Sequence, residues 1–216
     1  MIKPYFETKL GKLYHGNCID IMKQLETKSV DLILTDPPYG VNLKYDTYQD
    51  TEDNWYKLFE AFMPQFLRLA KMSIFPTCQI KKMPYIYSKY PPDWLIAWYK
   101  GSPGHRSYIG FNDWEPLLVY GKNDGVIMHD YFYCQTEGQE QRHPCPKSVK
   151  WAKWLIKRAT KEGQLVLDPF LGSGTTAIAC EKLGRRWIGI ELSEDYCGIC
   201  VRRIEDEAKQ GKLFFE

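Results

Sequence analysis

The chain has 216 residues, 44% of them hydrophobic, which is enough apolar material for one buried core. Its formal net charge of +2 is too small to argue for nucleic-acid binding by electrostatics alone. No apolar run approaches the roughly 18 residues of a membrane-spanning helix, and Met1 to Glu7 lacks the apolar region of a signal peptide, so a cytoplasmic location is expected.

The predicted elements alternate. Leu10 to Gly16 reads as a hairpin or edge strand, and Ile19 to Leu25 as a short helix. Val30 to Thr35 is a short apolar run closed by Asp36-Pro37-Pro38-Tyr39-Gly40, the pattern of a buried strand that ends abruptly. Residues 41–54 are polar and read as a mobile loop. Trp55 to Lys71 carries a helical period that Pro64 is expected to kink or split. Strands are expected near 72–78, 93–100 and 116–120, with a short helix from Met83 to Tyr90. Residues 122–142 resist assignment. From Lys147 the order is helix (to Lys161), strand (164–167), helix (Thr175 to Leu183, closed by Gly184), strand (186–192) and helix (Glu194 to Lys209). That alternation predicts parallel α/β layering.

Two stretches carry chemistry. Asp36-Pro37-Pro38-Tyr39 presents a carboxylate, two rigid carbonyls and an aromatic ring at a strand end, where open α/β sheets bind ligands. A Pro-rich turn with an exposed Asp and Tyr would read the same way. Asp168-Pro169-Phe170-Leu171-Gly172-Ser173-Gly174-Thr175-Thr176 is a strand, a glycine loop and a helix start. It lacks the lysine of a P-loop and the full dinucleotide pattern. A helix N-terminus there, followed by a strand ending in Glu191, suits an adenosine-bearing ligand; a tight turn plus a surface Glu is the alternative. Lys81-Lys82, Arg185-Arg186 and Arg202-Arg203 read as solvated faces. The seven cysteines, an odd number without a signal segment, argue against a disulfide framework. Cys197 and Cys200 have metal spacing but sit in a predicted helix, and Cys134, Cys145 and His143 are a loose supply of ligands. Buried thiols are expected and no metal site.

Taken together, three blocks resemble the β-class of amino-group DNA methyltransferases that use S-adenosylmethionine. They are Leu13 to Cys18 running through to Gly40, His143-Pro144-Cys145-Pro146-Lys147, and Asp168 to Thr176 with Glu191, in that order. The resemblance implies a Rossmann-like, seven-stranded, mostly parallel sheet with one antiparallel strand and helices on both faces. It implies a single domain over 1–216, with small target-recognition insertions within 41–142. Asp36, Pro37, Pro38 and Tyr39 would be catalytic. Asn17, Cys18, Lys147, Asp168, Phe170, Gly172, Ser173, Gly174, Thr175, Thr176 and Glu191 would hold S-adenosylmethionine, with Glu191 on the ribose hydroxyls. The sequence departs from the family at Asn17, where Asp is usual, and at Cys145, Pro146 and Ser148. The implied partner is DNA presenting a flipped or single-stranded base, with adenine favoured over cytosine by Asp at position 36. RNA, a non-catalytic role, help from a second subunit as a homodimer, and a restriction-modification setting all stay compatible with the sequence, whereas Asp rather than Asn at position 36 argues against a protein amide.

Overall fold

The computed structural model describes residues 2–77, 80–100, 110, 113–122, 129–134 and 148–213. Its strands are β1 (Phe6–Glu7), β2 (Gly11–His15), β3 (Val30–Leu34), β4 (Ala70–Pro76), β5 (Trp94–Tyr99), β6 (Trp114–Gly121), β7 (Tyr131–Tyr133), β8 (Leu165–Asp168) and β9 (Arg186–Glu191). The helices are α1 (Cys18–Met22), α2 (Glu52–Leu69), α3 (Met83–Lys89), α4 (Val149–Ala159), α5 (Thr175–Leu183) and α6 (Glu194–Leu213).

All nine strands join one sheet in the order β1-β2-β9-β8-β3-β4-β6-β5-β7. The seven from β2 to β5 match the seven expected segments. Among them only β6 runs antiparallel to its neighbours. Two short edge strands lie outside that set. β1 pairs antiparallel with β2 and lies before the Leu10 to Gly16 stretch in which a hairpin or edge strand is expected. β7 falls in the stretch that resisted assignment; at three residues it is too short to show an alternation.

Helices α4, α5 and α6 cover one face, with Trp151, Leu155, Ile156, Ile178 and Ile204 packed against Leu32 and Leu34. Helices α1, α2 and α3 cover the other, with Ile21, Phe59, Phe62 and Ile86 around Ile33. The alternation of Leu32, Ile33 and Leu34 between the two cores follows from the period of two along a strand. Helix α2 runs unbroken through Pro64, so of the expected kink or split the split does not occur. Pro64 is exposed, so its ring and the carbonyl it leaves unpaired face solvent, while Trp55, Phe59, Phe62, Met63, Phe66 and Leu69 bury the opposite side.

The strand order places the site. From β3 the chain crosses through α2 to β4, on one side; from β8 it crosses through α5 to β9, on the other. β3 and β8 are parallel neighbours, Leu32 opposite Val166 and Ile33 opposite Leu167. The carboxyl ends of these two strands therefore flank a topological switch point, where the outgoing loops diverge and leave a cleft.

The aromatic core behind that cleft is continuous: Phe62 stacks on Phe66 at 4.6 Å and meets Phe170 of the glycine loop at 5.8 Å. Phe62→Ala is expected to cost about 3–5 kcal/mol of stability. Urea denaturation checks this, and a loss under about 1 kcal/mol would show that Phe62 is peripheral.

Candidate active site

Both chemical stretches follow the carboxyl ends of the two strands that flank the switch point. β3 ends at Leu34, and Thr35 continues buried, with 1% of its surface exposed. Asp36 and Pro38 are half-buried, Pro37 is buried, and Tyr39 is 8% exposed. β8 ends at Asp168, which is 4% exposed. The hydroxyl of Thr35 donates to Oδ1 of Asp168 at 2.6 Å, tying the two strand ends together across the cleft floor. Asp168 also accepts from the Phe170 amide at 3.1 Å and from the Thr176 side chain.

Burial raises the Asp168 carboxyl from 3.8 to about 6; the bonds from Thr176, Thr35 and Phe170 hold it lower than burial alone would, and the nearby Asp36 charge adds to the rise. The Tyr39 hydroxyl donates to Oδ1 of Asp36, so in this conformation the ring leans on the carboxylate beside it.

The glycine loop is held from three sides. Gly172 and Gly174 adopt positive φ, +55° and +91°. The Gly172 amide donates to Oε2 of Glu191 at 2.8 Å, and the Ser193 amide donates to Oε1 at 2.8 Å. Burial raises the Glu191 carboxyl above the usual range, against these amides and the nearby His15. Arg203 of α6 donates from one nitrogen to both the carbonyl and the hydroxyl of Ser173, each at 2.7 Å. A Cβ on Gly174 would lie 2.5 Å from the Cys200 sulfur. Gly174 is thus required by the packing of α6 behind the loop.

Asn17 and Cys18 join the same end. β2 pairs with β9, His15 opposite Glu191, and the Gly16 amide donates to the Glu191 carbonyl at 2.9 Å. Asn17 caps α1, its side-chain oxygen accepting from the Ile19 amide at 2.8 Å. Asn serves this capping as well as Asp does. The Cys18 thiol is buried, with its pKa pushed up to about 12, chiefly by desolvation. Cys197 and Cys200 are likewise buried free thiols. Among the described residues no group of three or more His, Cys, Asp or Glu is placed to hold a metal. Lys147, with the rest of the 143–147 block, lies outside the described residues.

Three polar residues that the sequence reading passed over support the site. Arg203, from a pair expected to be solvated, anchors the glycine loop. Lys82, from another such pair, is buried beneath Tyr39. Asp50, in the expected mobile loop, is buried and accepts from three backbone amides. A lone charged residue in a polar stretch carries no local signal of burial.

The arrangement offers two complementary halves. One has a carboxylate and rigid carbonyls for a hydrogen-bond donor. The other has a carboxylate for hydroxyl groups and a helix N-terminus after a glycine loop. The family model described as DNA methylase matches residues 107–202. The type II methyltransferase M.BamHI of Bacillus amyloliquefaciens is 28% identical over 98% of the chain; the chain spans 61% of that protein. M2.DpnII of Streptococcus pneumoniae is 27% identical, over 96% of the chain and 94% of its own length. In fold, the cytosine-N4-specific PvuII DNA methyltransferase aligns with a TM-score of 0.73 and 18% identity, over 96% of this chain and 94% of that one. M1.HpyAVI in complex with SAM aligns with a TM-score of 0.64 and 25% identity, over 90% of this chain and 100% of that one. These matches support an amino-methyltransferase of the β class.

The raised Asp168 pKa sets a pH dependence. The folded carboxyl binds its proton more tightly than the unfolded one, so its contribution to stability is fully present below 3.8 and is lost as pH rises through about 6. The loss is on the order of 3 kcal/mol. Thermal melting of wild type and Asp168→Asn between pH 3.5 and 7, values chosen to bracket roughly that window, is expected to show wild type losing ground to the variant as pH rises. A constant difference across the window would contradict the shift.

Proposed function

We propose that the chain transfers the methyl group of S-adenosylmethionine to the exocyclic amino nitrogen of adenine in DNA. The observation that carries this reading is the meeting of Asp36-Pro37-Pro38-Tyr39 and the glycine loop at adjacent strand ends, bridged by Thr35 and Asp168. The type II methyltransferase names of M.BamHI and M2.DpnII support the DNA substrate and a place as the modification half of a restriction-modification pair. M1.HpyAVI in complex with SAM supports the donor.

The residues fit that donor. Glu191 keeps acceptor capacity for ribose hydroxyls, because its two carboxylate oxygens offer about four lone pairs and the Gly172, Ser193 and Leu192 amides do not use them all. Asp168, Phe170 and the segment Gly172-Ser173-Gly174-Thr175-Thr176 line the loop beside it, and Asn17 and Cys18 close the same end; Lys147 is assigned with them from the family pattern. When bound, S-adenosylmethionine supplies an electrophilic sulfonium methyl.

The chain's own task is to prepare the acceptor. An exocyclic amino nitrogen is a poor nucleophile because its lone pair is delocalised into the ring. The Asp36 carboxylate and the Pro37 carbonyl accept hydrogen bonds from the two amino hydrogens, which turns the nitrogen out of the ring plane and frees its lone pair. Asp36 then takes or relays the proton that leaves as positive charge develops. The bond from the Tyr39 hydroxyl to Asp36 must be exchanged or shared as the amino group arrives, and this coupling places the ring for stacking on the base. A base within a duplex does not reach such a cleft, so the target is flipped out or single-stranded.

Asp at position 36 supports adenine as the target. The fold match to the cytosine-N4-specific PvuII enzyme favours cytosine as a second reading. Nucleoside mass spectrometry of DNA from methylation-free cells that express the chain separates them. N6-methyladenine is expected. N4-methylcytosine would replace the first reading with the second, and unmodified DNA would overturn both. In the same assay Asp36→Ala is expected to lower transfer by roughly 100-fold or more, with S-adenosylmethionine binding by calorimetry retained. Transfer near the wild-type rate would remove Asp36 from the chemistry.

A further inference from the structure

The Lys81-Lys82 pair divides in the folded chain. Lys81 is exposed; Lys82 is 1% exposed and ranks among the largest fully buried side chains. Its Nζ donates to the carbonyl oxygen of Tyr39 and stands 4.2 Å from the centroid of the Trp55 ring. A buried ammonium without such contacts would be costly, and an aromatic face lowers that cost. On the other side of the same turn stands Asp50, 2% exposed. Its Oδ1 accepts from the Gly40 amide at 2.6 Å, and its Oδ2 accepts from the Val41 and Leu43 amides at 3.0 and 3.2 Å.

These contacts converge on one peptide unit. The carbonyl of the Tyr39–Gly40 peptide faces a buried cation and its N–H faces a buried anion. A peptide group is planar, so fixing both of its poles fixes the orientation of the whole plane. That plane sets the backbone torsions on either side: ψ of Tyr39, which carries the ring, and φ of Gly40, which is +67°. Gly40 itself leaves no slack, since a Cβ there would lie 2.8 Å from Lys82 Nζ and 2.8 Å from Trp55 Cβ.

We propose that Lys82 and Asp50 are positioning residues that clamp the Tyr39–Gly40 peptide, and through it hold the Tyr39 ring and hydroxyl in register with the Asp36 carboxylate. The inference rests on the catalytic role proposed for the tetrapeptide. The tetrapeptide's own backbone offers few donors. Its two prolines have no amide hydrogen to give to a neighbour. Fixing the reacting groups before substrate arrives removes a reorganisation cost from the transition state.

Lys82→Met and Asp50→Asn test the clamp with two readouts. The first is hydrogen exchange at the Gly40, Val41 and Leu43 amides, which does not depend on activity. The second is the split between kcat and KM for methyl transfer to DNA. Exchange at the three amides is expected to rise by about tenfold or more while amides of β3 and β8 keep their protection. In the same variants kcat is expected to fall by about tenfold or more, with KM for S-adenosylmethionine changed by less than about twofold. A kcat within about twofold of wild type in both variants overturns the positioning role, as does unchanged exchange at the three amides. A fall in kcat matched by loss of protection throughout the sheet also overturns it, because that would be general destabilisation. Should Lys82→Met fail to fold, Asp50→Asn, which keeps the shape and one carbonyl oxygen, carries both readouts. A wild type that binds S-adenosylmethionine but methylates no DNA would defeat the proposed function, and the exchange readout would still decide whether the clamp exists.

Discussion

The structure depends on one buried hydrogen bond, from the Thr35 hydroxyl to the Asp168 carboxylate at 2.6 Å. It joins residues that are far apart in sequence at the ends of two neighbouring parallel strands. The strand order makes that place a cleft, because α2 and α5 leave it in opposite directions and cover opposite faces of the sheet. Among the described residues, the chemical stretches are then brought to one edge: the tetrapeptide after β3, the glycine loop after β8, Glu191 at the end of β9 and Asn17 after β2. A hydrogen bond to a buried carboxylate is strong because little water competes for it, and leaving that carboxylate unpaired would be expensive. The bond therefore acts as a fixed pin between the tetrapeptide after β3 and the glycine loop after β8.

Around that pin the site is built from buried or half-buried charged side chains whose partners are mainly backbone groups. Asp168 takes the Phe170 amide, Glu191 takes the Gly172 and Ser193 amides, and Asp50 takes the Gly40, Val41 and Leu43 amides. Lys82 and Arg203 are their positive counterparts, each donating to a backbone carbonyl of a chemical loop. Loops without regular structure have few hydrogen bonds of their own. Here side-chain charges replace the missing ladder, and the two loops gain the rigidity that positioning of small groups requires.

What the sequence made legible followed from local pattern. The seven central strands were readable because each is a short apolar run between turn signals, and α5 because Gly184 closes it in the left-handed conformation. The pairing of the tetrapeptide with the glycine loop was readable from the order of the blocks. Pro64 misled because its effect depends on which side of α2 it occupies, and the periodic pattern alone did not weigh its exposed position. Lys82, Asp50 and Arg203 were illegible for a different reason. A charged residue is ordinarily solvated, and only the tertiary fold shows that these three face backbone groups that need partners. β7 escaped because three residues paired at a sheet edge are specified by their neighbour β5 and not by their own alternation.

The claim that the donor and acceptor halves form one device locked at the β3–β8 junction is tested most directly by a double-mutant cycle. Thr35→Val and Asp168→Ala, singly and together, would be compared in stability by denaturant unfolding. The account predicts a coupling energy in the range of about 0.5–3 kcal/mol between the two positions. Additive effects, with no coupling beyond measurement error, would contradict it: the two strand ends would then be neighbours without being joined.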